Sequence, residues 1–205
     1  MRRAALLLIA STVLLVAGKP GPPTIDAKAR AKLDAGKVAL ISAHDRSGES
    51  TVATVMGLVE IAAPVDRVWE ILLSRQHLVD SSGVVKSVVH YGDTTDDGDH
   101  YSFGLKFELK VGFSTLDYWV RRDLYRSDGY LTWLIDSGKP NDLKYTEGSY
   151  SVFPAPDPGK LQLVYRAKIQ SGKAIPRWLE EDLTENSLTS YLAYVKEHAE
   201  APAAD

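Results

Sequence analysis

The sequence of 205 residues contains no cysteine. This absence excludes disulfide bonds, a cysteine nucleophile and a lipid-modified cysteine at the N-terminus. A chain of this length buries about 70% of the surface that its unfolded form exposes, so one hydrophobic core can hold the fold together without a crosslink or a metal. A hydrophobic content of 44% is ordinary for a globular protein, and one domain is expected.

Motifs for metal binding and for nucleophilic catalysis are also missing. The five histidines lack a ligand spacing such as two histidines separated by three residues, so no zinc site is expected. The acidic segment 92–100 puts Thr95 and Gly104 where a calcium loop needs oxygen ligands, so it predicts a hairpin tip instead. No Ser-x-x-Lys, Gly-x-Ser-x-Gly or Gly-rich phosphate loop is present. We therefore expect no metal and no cofactor.

Acidic residues slightly outnumber basic ones. There are 24 basic residues against 27 acidic ones, which gives a formal net charge of −3. No block of five like charges occurs in the chain. Nucleic acid is therefore not expected as a partner.

The one long hydrophobic run is short for a membrane span. It extends from Ala4 to Ala17 after the basic start Met1-Arg2-Arg3, and it falls below the roughly 18 residues that a spanning helix needs. A basic start, an apolar run and small residues at its end are typical of a signal peptide. We expect cleavage after Gly18 and a periplasmic or secreted protein, with an uncleaved anchor as the alternative.

Period-two alternation dominates the middle of the chain. Phe103, Leu105 and Phe107 alternate with Lys106 and Glu108, which predicts a strand with one buried face and one face in water. Breaks rich in Gly, Pro, Asp and Ser separate such stretches and indicate an antiparallel meander. The strands are predicted at 38–43, 49–62, 84–91, 101–111, 113–125, 130–136, 144–153 and 161–169.

Helical spacing appears at three places. A small helix is predicted over Ile25–Ala35 and a second one from Pro64, with a further helical turn over Gln76–Ser82. A long helix is predicted from Pro176, with an apolar face made by Leu179, Leu183, Leu188, Leu192 and Val195. A sheet with a helix inserted early and a long helix at the end predicts an α+β fold whose curved antiparallel sheet wraps around the last helix.

Two segments carry a resemblance to a known family. Val59–Leu72 (VEIAAPVDRVWEIL) resembles the first strand, proline and tryptophan-bearing first helix of the START-like, or SRPBCC, superfamily of polyketide cyclases and lipid-transport proteins. Ala174–Leu179 (AIPRWL), with Ser187-Leu188 and Tyr191-Leu192, is similar to the start of that family's C-terminal helix. The resemblance implies the helix-grip fold, with a cavity between sheet and C-terminal helix that holds an apolar compound.

These observations divide the chain into four parts. Residues 1–18 are expected to form the signal peptide, and residues 19–48 a linker, a short helix and a leading strand. The START-like ligand-binding domain is expected over 49–198, and a C-terminal tail over 199–205.

Aromatic and apolar side chains on the strands and the last helix are the candidate ligand contacts. An aromatic ring with a polar tip can grip an apolar body and orient one hydroxyl or carbonyl group. Packing in the core or exposure is the alternative for each strand residue, because the parity of a strand is uncertain by one residue. The candidates are Tyr118, Trp133, Tyr150, Tyr165, Trp178, Leu179 and Leu183.

Charged residues on the strands have two interpretations. Arg121, Arg122 and Arg126 are expected to make solvent-facing cross-strand pairs, although one that faced the cavity would anchor a ligand head group. Asp117, Asp136 or a strand tyrosine is the candidate acid or base if the cavity carries out chemistry.

The expected function is binding of a hydrophobic small molecule, such as a lipid or quinone, for transport or sequestration. A cyclase- or dehydrase-type enzyme acting on a polyketide-like or aromatic substrate in the same cavity is the alternative, and a binding module with a filled cavity is a third hypothesis. Trp178 and Leu179, with Arg177 beside them, suggest transient contact with a membrane surface. Packing of the helix start in the core is the other interpretation of these residues.

Overall fold

A computed structural model describes residues 19–45, 52–112, 114–171 and 186–202. The expected signal peptide, residues 1–18, and the first part of the expected last helix, residues 176–185, lie outside these ranges. The described elements are α1 (Ala27–Asp34), β1 (Ala39–Asp45), β2 (Val52–Ile61), α2 (Val65–Leu73), α3 (Arg75–Asp80), β3 (Val85–Asp96), β4 (His100–Val111), β5 (Ser114–Tyr125), β6 (Tyr130–Ile135), β7 (Leu143–Pro154), β8 (Leu161–Ser171) and α4 (Ser187–Glu200).

The strands form one antiparallel sheet in the order β1-β2-β8-β7-β6-β5-β4-β3. Strands β3 to β8 follow one another as a meander, and β2 pairs with β8 to join the first hairpin to its far side. The sheet is curved and open, and the C-terminal helix α4 packs on it. The α+β helix-grip fold expected from the sequence is confirmed.

The predicted bounds of β4 to β8 agree with the structure closely, but the predicted end of β3 is wrong. The sequence suggested a break at Gly92, whereas β3 continues to Asp96. A register shift between Tyr91 and Thr95 marks a β-bulge, and Gly92 has a φ of 66°, which suits glycine. The bulge accommodates the glycine without ending the strand.

Helix α2 buries one face as its spacing predicted. Pro64 precedes the first turn, where its missing N–H costs nothing, and Val68, Trp69, Ile71 and Leu72 are buried. Trp69 packs in the main core.

Helix α4 lies against the inner face of the sheet through Leu188, Leu192 and Val195. Gly57 on β2 faces this helix, and a Cβ atom at that position would lie 2.5 Å from Leu192 Cδ1. Glycine at position 57 therefore lets the helix approach the sheet closely. The helix ends before Pro202, which cannot continue it.

Helix α1 packs on the opposite face of the sheet and makes a second, smaller core. Asp26 caps the helix by accepting a hydrogen bond from the Ala29 backbone N–H at 2.7 Å, so the helix begins after Asp26 rather than at Ile25. Ala29 and Leu33 are buried against Leu58 and other apolar residues. The segment before β1 is thus attached to the domain.

Among the helices within the described ranges, none has the length and apolar character needed to cross a membrane.

Candidate functional site

A cavity of about 240 Å³ lies between the inner face of the sheet and helices α3 and α4. Strands β4 to β8 supply most of its wall, and Leu78 on α3 and Leu188 and Tyr191 on α4 close it from the other side. Most of the lining side chains are apolar or aromatic, which is typical of a small-molecule site.

Strand alternation explains which side chains reach the cavity. Tyr118, Val120 and Arg122 on β5 share one face because successive side chains of a strand point to opposite sides. The register places Phe107 of β4 beside Tyr118, and Trp133 of β6 beside Arg122. A continuous inner face therefore runs across neighbouring strands.

Aromatic rings form much of the wall. Phe107 and Tyr118 are stacked, with ring centroids 4.9 Å apart and an angle of 6° between their planes. Trp133 lies 5.3 Å from Tyr150 and 5.3 Å from Tyr165, centroid to centroid, and the two tyrosines are 5.2 Å apart. These separations are within the range in which aromatic pairs attract one another.

Gly148 on β7 makes room for the Trp133 ring. The two residues are partners in the sheet register, and a Cβ atom at position 148 would collide with the Trp133 ring and with the Arg166 backbone carbonyl. The indole therefore lies across β7 and its Nε1–H donates a hydrogen bond of 3.4 Å to Thr146 Oγ1. Trp133 presents its ring to the cavity as a fixed surface.

The tyrosine hydroxyl groups at the cavity are held in the protonated form. Burial raises the pKa of Tyr118, of Tyr165 and of Tyr191. Burial also raises the pKa of Tyr150, while the charge of Arg122 acts in the opposite direction. Each group can therefore donate a hydrogen bond at neutral pH, and the Tyr150 hydroxyl interacts with the Tyr191 hydroxyl and with Arg122.

Arg122 is the one charged side chain among the described residues that line the cavity. It is only 4% exposed, so the expectation that it makes a solvent-facing pair is wrong. Its guanidinium carbon lies 5.7 Å from the Phe107 ring centroid and 6.0 Å from that of Trp133. Arg126 makes a surface pair with Asp96, as expected, whereas Arg121 donates to Ser102 Oγ at 3.2 Å.

The structure brings the strand aromatics predicted from the sequence to one place. Tyr118, Trp133, Tyr150 and Tyr165 all line the cavity. Their contact with a ligand stays a prediction. Three predicted site residues lie outside the described ranges: Trp178, Leu179 and Leu183.

Sequence reasoning left most of the other lining residues out of the predicted site, and three of them have functional interest: Phe107, Arg122 and Tyr191. Phe107 and Arg122 belong to alternations that were visible in the sequence, and continuing the inward parity from Leu116 to Leu124 would have placed Arg122 inside. Tyr191 follows Leu188 at helical spacing on the same face of α4. For all three residues, the sequence did not indicate how far the inward-facing surface of the strand or helix extends.

Neither candidate catalytic aspartate lines the described part of the cavity. Asp117 alternates with the inward Tyr118 and its Oδ2 lies 2.7 Å from Lys106 Nζ on the outer face. Asp136 accepts a hydrogen bond of 2.8 Å from the Tyr91 hydroxyl. Both carboxylates thus have structural partners outside the cavity.

No group of histidine and carboxylate side chains that could hold a metal occurs within the described residues. The acidic segment after β3 forms a hairpin tip, as predicted. Gly98 has a φ of 94°, and Arg126 Nη1 binds Asp96 Oδ1 at 2.9 Å. The aspartate charge there is engaged in holding the hairpin to β5.

Comparison with known proteins gives likeness in structure alone. No family model and no curated protein matches the sequence. Among solved structures, the Zhui aromatase/cyclase from Streptomyces sp. R1128 is similar with a TM-score of 0.57 and 19% identity, over 73% of this chain and 94% of that one.

Two further solved structures are similar. A START superfamily protein from Mycobacterium smegmatis has a TM-score of 0.56 at 14% identity, over 72% of this chain and 97% of its own. The human StAR-related lipid transfer protein 5 has a TM-score of 0.53 at 14% identity, over 77% of this chain and 86% of its own. Together with the curved sheet and its C-terminal helix, these likenesses show that the chain has the START-like, or SRPBCC, helix-grip fold.

Proposed function

We propose that this protein binds one hydrophobic small molecule in the cavity between the sheet and α4, for transport or sequestration. The observation that carries the proposal is the cavity of about 240 Å³ and its mainly apolar and aromatic wall. Solved proteins of the same fold with lipid-transfer and aromatase/cyclase names support it by analogy.

Affinity would come from removing apolar ligand surface from water. At roughly 25 cal/mol per Å², a ligand that buries ~200 Å² gains ~5 kcal/mol before the cost of ordering is subtracted. Fixed rings such as Trp133 and the stacked pair Phe107 and Tyr118 need little rearrangement to receive a ligand. The tyrosine hydroxyl groups would orient a polar end.

Export is part of the proposal and rests on the N-terminal sequence. The basic start and the apolar run to Ala17 favour removal of residues 1–18 and release into the periplasm or the medium. Trp178 and Leu179 would then touch a membrane transiently during loading. Mass measurement of the protein recovered from a bacterial periplasm tests export, because the mature chain should begin at Lys19.

The geometry favours a carrier over an acid–base enzyme. No histidine or carboxylate is among the described residues that line the cavity. The buried tyrosines are not available as bases at neutral pH, because their raised pKa keeps them protonated. A cyclase-type reaction would need a group from elsewhere in the chain.

Extraction of the purified mature protein with organic solvent, followed by mass spectrometry, tests the proposal. We expect a defined apolar compound in stoichiometric amount when the protein comes from its own host. A Val120→Trp variant, which fills the cavity from β5, should lose at least about nine-tenths of that compound while it keeps its circular dichroism spectrum.

Leu134→Trp is the matched control, because Leu134 is 40% exposed on the outer face of β6. It should retain the compound. An empty extract from wild type, or equal loading of the cavity variant and wild type, would contradict the proposal.

A further inference from the structure

Arg122 is a buried cation whose described surroundings do not neutralise it. Its Nε and Nη1 atoms are buried and have no hydrogen-bond partner among the described residues. No ion pair joins it to a carboxylate in the part of the chain that the structure describes. The arginines that do pair with a carboxylate in the described ranges lie near the protein surface or on the α1 side of the sheet.

A buried charge in this state is unfavourable unless something pairs with it. Moving an ion into a low-dielectric interior costs several kcal/mol after relaxation, and an apolar side chain of the same size is often at least as stable. The faces of Phe107 and Trp133 offset part of this through cation–π attraction. Aromatic faces leave the N–H donors in the guanidinium plane unused, and these donors match a planar oxyanion.

Arg122 lies at the cavity, where a bound molecule can reach its N–H donors. Val120 and Arg122 lie two residues apart on the same face of β5, and both line the cavity. The protonated hydroxyl groups of Tyr150 and Tyr191 lie at the same cavity and can donate to the same acceptor. Arg122 interacts there with the Tyr150 hydroxyl, but its Nε and Nη1 donors have no described acceptor.

We propose that the ligand is an acid: an apolar body that carries one carboxylate, which Arg122 binds inside the cavity. The inference rests on the proposed function, because it names the class of molecule that the same cavity takes. Binding of the acid then pairs the buried charge. The ligand-free protein carries the free-energy penalty of an unpaired buried cation, and an acidic ligand removes this penalty whereas a neutral ligand does not.

Cavity size limits the body of this acid. A cavity of about 150 Å³ holds one benzene molecule, so a volume of about 240 Å³ suits a somewhat larger body such as two fused aromatic rings. The stacked and tilted aromatic rings of the wall also favour a planar ring system.

Calorimetric titration of the ligand-free mature protein at pH 7.5 with 2-naphthoic acid and 2-naphthalenemethanol tests the proposal. The two probes share one apolar body and differ in charge. Wild type should bind the acid at least about tenfold more tightly than the alcohol, as expected for a charge-assisted hydrogen bond. Arg122→Met should lose this preference and bind the two probes with affinities within about threefold of each other, whereas Arg122→Lys should restore part of the preference.

Arg121→Met is the matched control, because Arg121 lies next to Arg122 and donates to Ser102 Oγ outside the cavity. It should keep the full preference for the acid. Equal affinity for acid and alcohol in wild type, or a preference that survives Arg122→Met, would overturn the inference and leave the proposed function standing. Absence of binding by both probes would overturn the proposed site together with the inference.

Discussion

One arginine lies beside the core on each side of the sheet, and the two arginines differ in their partners. On the α1 side, Arg30 Nη2 lies 2.5 Å from Glu60 Oε1 and Arg30 Nε lies 2.8 Å from Asp34 Oδ1. On the cavity side, Arg122 has aromatic neighbours and no described carboxylate. A cation that is paired in the folded chain serves the fold, whereas one left unpaired beside a cavity is available to a ligand.

The surrounding residues differ in the same way. Beneath α1, Leu33 and Leu58 pack in the smaller core, with 2% and 0% of their surface exposed. Facing α4, the Trp133 and Tyr150 rings are also buried, yet an open volume remains between them and the helix. The open volume with a mainly apolar and aromatic wall thus lies on the same side of the sheet as Arg122.

Arg30→Met should give the largest change, because it leaves the buried Glu60 carboxylate without its cation. Glu60 is only 5% exposed, and removing one partner of a buried pair is strongly destabilising. We expect a loss of about 3 kcal/mol in the free energy of unfolding, measured by urea denaturation. A loss below about 0.5 kcal/mol would mean that Glu60 is not held by Arg30.

Arg122→Met should change stability in the opposite direction in the ligand-free protein. Replacing a buried unpaired cation with an apolar side chain of similar length should raise the free energy of unfolding by ~1 kcal/mol. Arg121→Met, on the outer face, should stay within about 0.5 kcal/mol of wild type. If Arg122→Met were as destabilising as Arg30→Met, the contrast between the two arginines would fail.

The smallest expected effect is on the titration of His90. Burial lowers its pKa first, and the positive charges of Arg75 and Arg122 lower it further below the ordinary value of 6.5. Removing one of these charges with Arg122→Met should therefore raise the His90 pKa, which NMR titration of the ring protons measures. Arg121→Met should leave the His90 pKa unchanged. An unchanged His90 pKa in Arg122→Met would show that the Arg122 charge does not reach the His90 ring.

The same shift fixes the direction of the pH dependence. Folded His90 binds a proton less readily than the unfolded chain does, so between its folded pKa and 6.5 the unfolded state holds more protons. This histidine therefore contributes stability above pH 6.5 that is lost as the pH falls through that window. An anionic ligand beside Arg122 would reduce the loss, because it offsets one of the charges that lower the pKa.

Much of the fold could be predicted from sequence because its signals are local. The alternation of Phe103, Leu105 and Phe107 marks a half-buried strand wherever it occurs, and Pro64 marks a helix start. The prediction failed at Gly92, where a bulge lets the strand continue, because a glycine that ends a strand and one that kinks it look alike in sequence.

The site could be predicted only in part, for a reason that Arg122 illustrates. Sequence identified aromatic candidates such as Trp133 and Tyr150, which the structure places in the cavity wall. It favoured the solvent for Arg122, because most strand arginines are paired at the surface. Burial of that side chain depends on the neighbouring strands and on the helix that packs over it. The sequence of one strand predicts neither.

The amino-acid sequence by itself determined the elements and their order, since periodicity, proline and turn residues act on neighbours along the chain. Tertiary structure alone decided that Gly148 gives Trp133 its place, that Gly57 sets the approach of α4, and that Arg122 has no described carboxylate to meet. Each of these depends on side chains far apart in sequence. A cavity is a property of the distance between a sheet and a helix, and that distance exists only once the chain has packed.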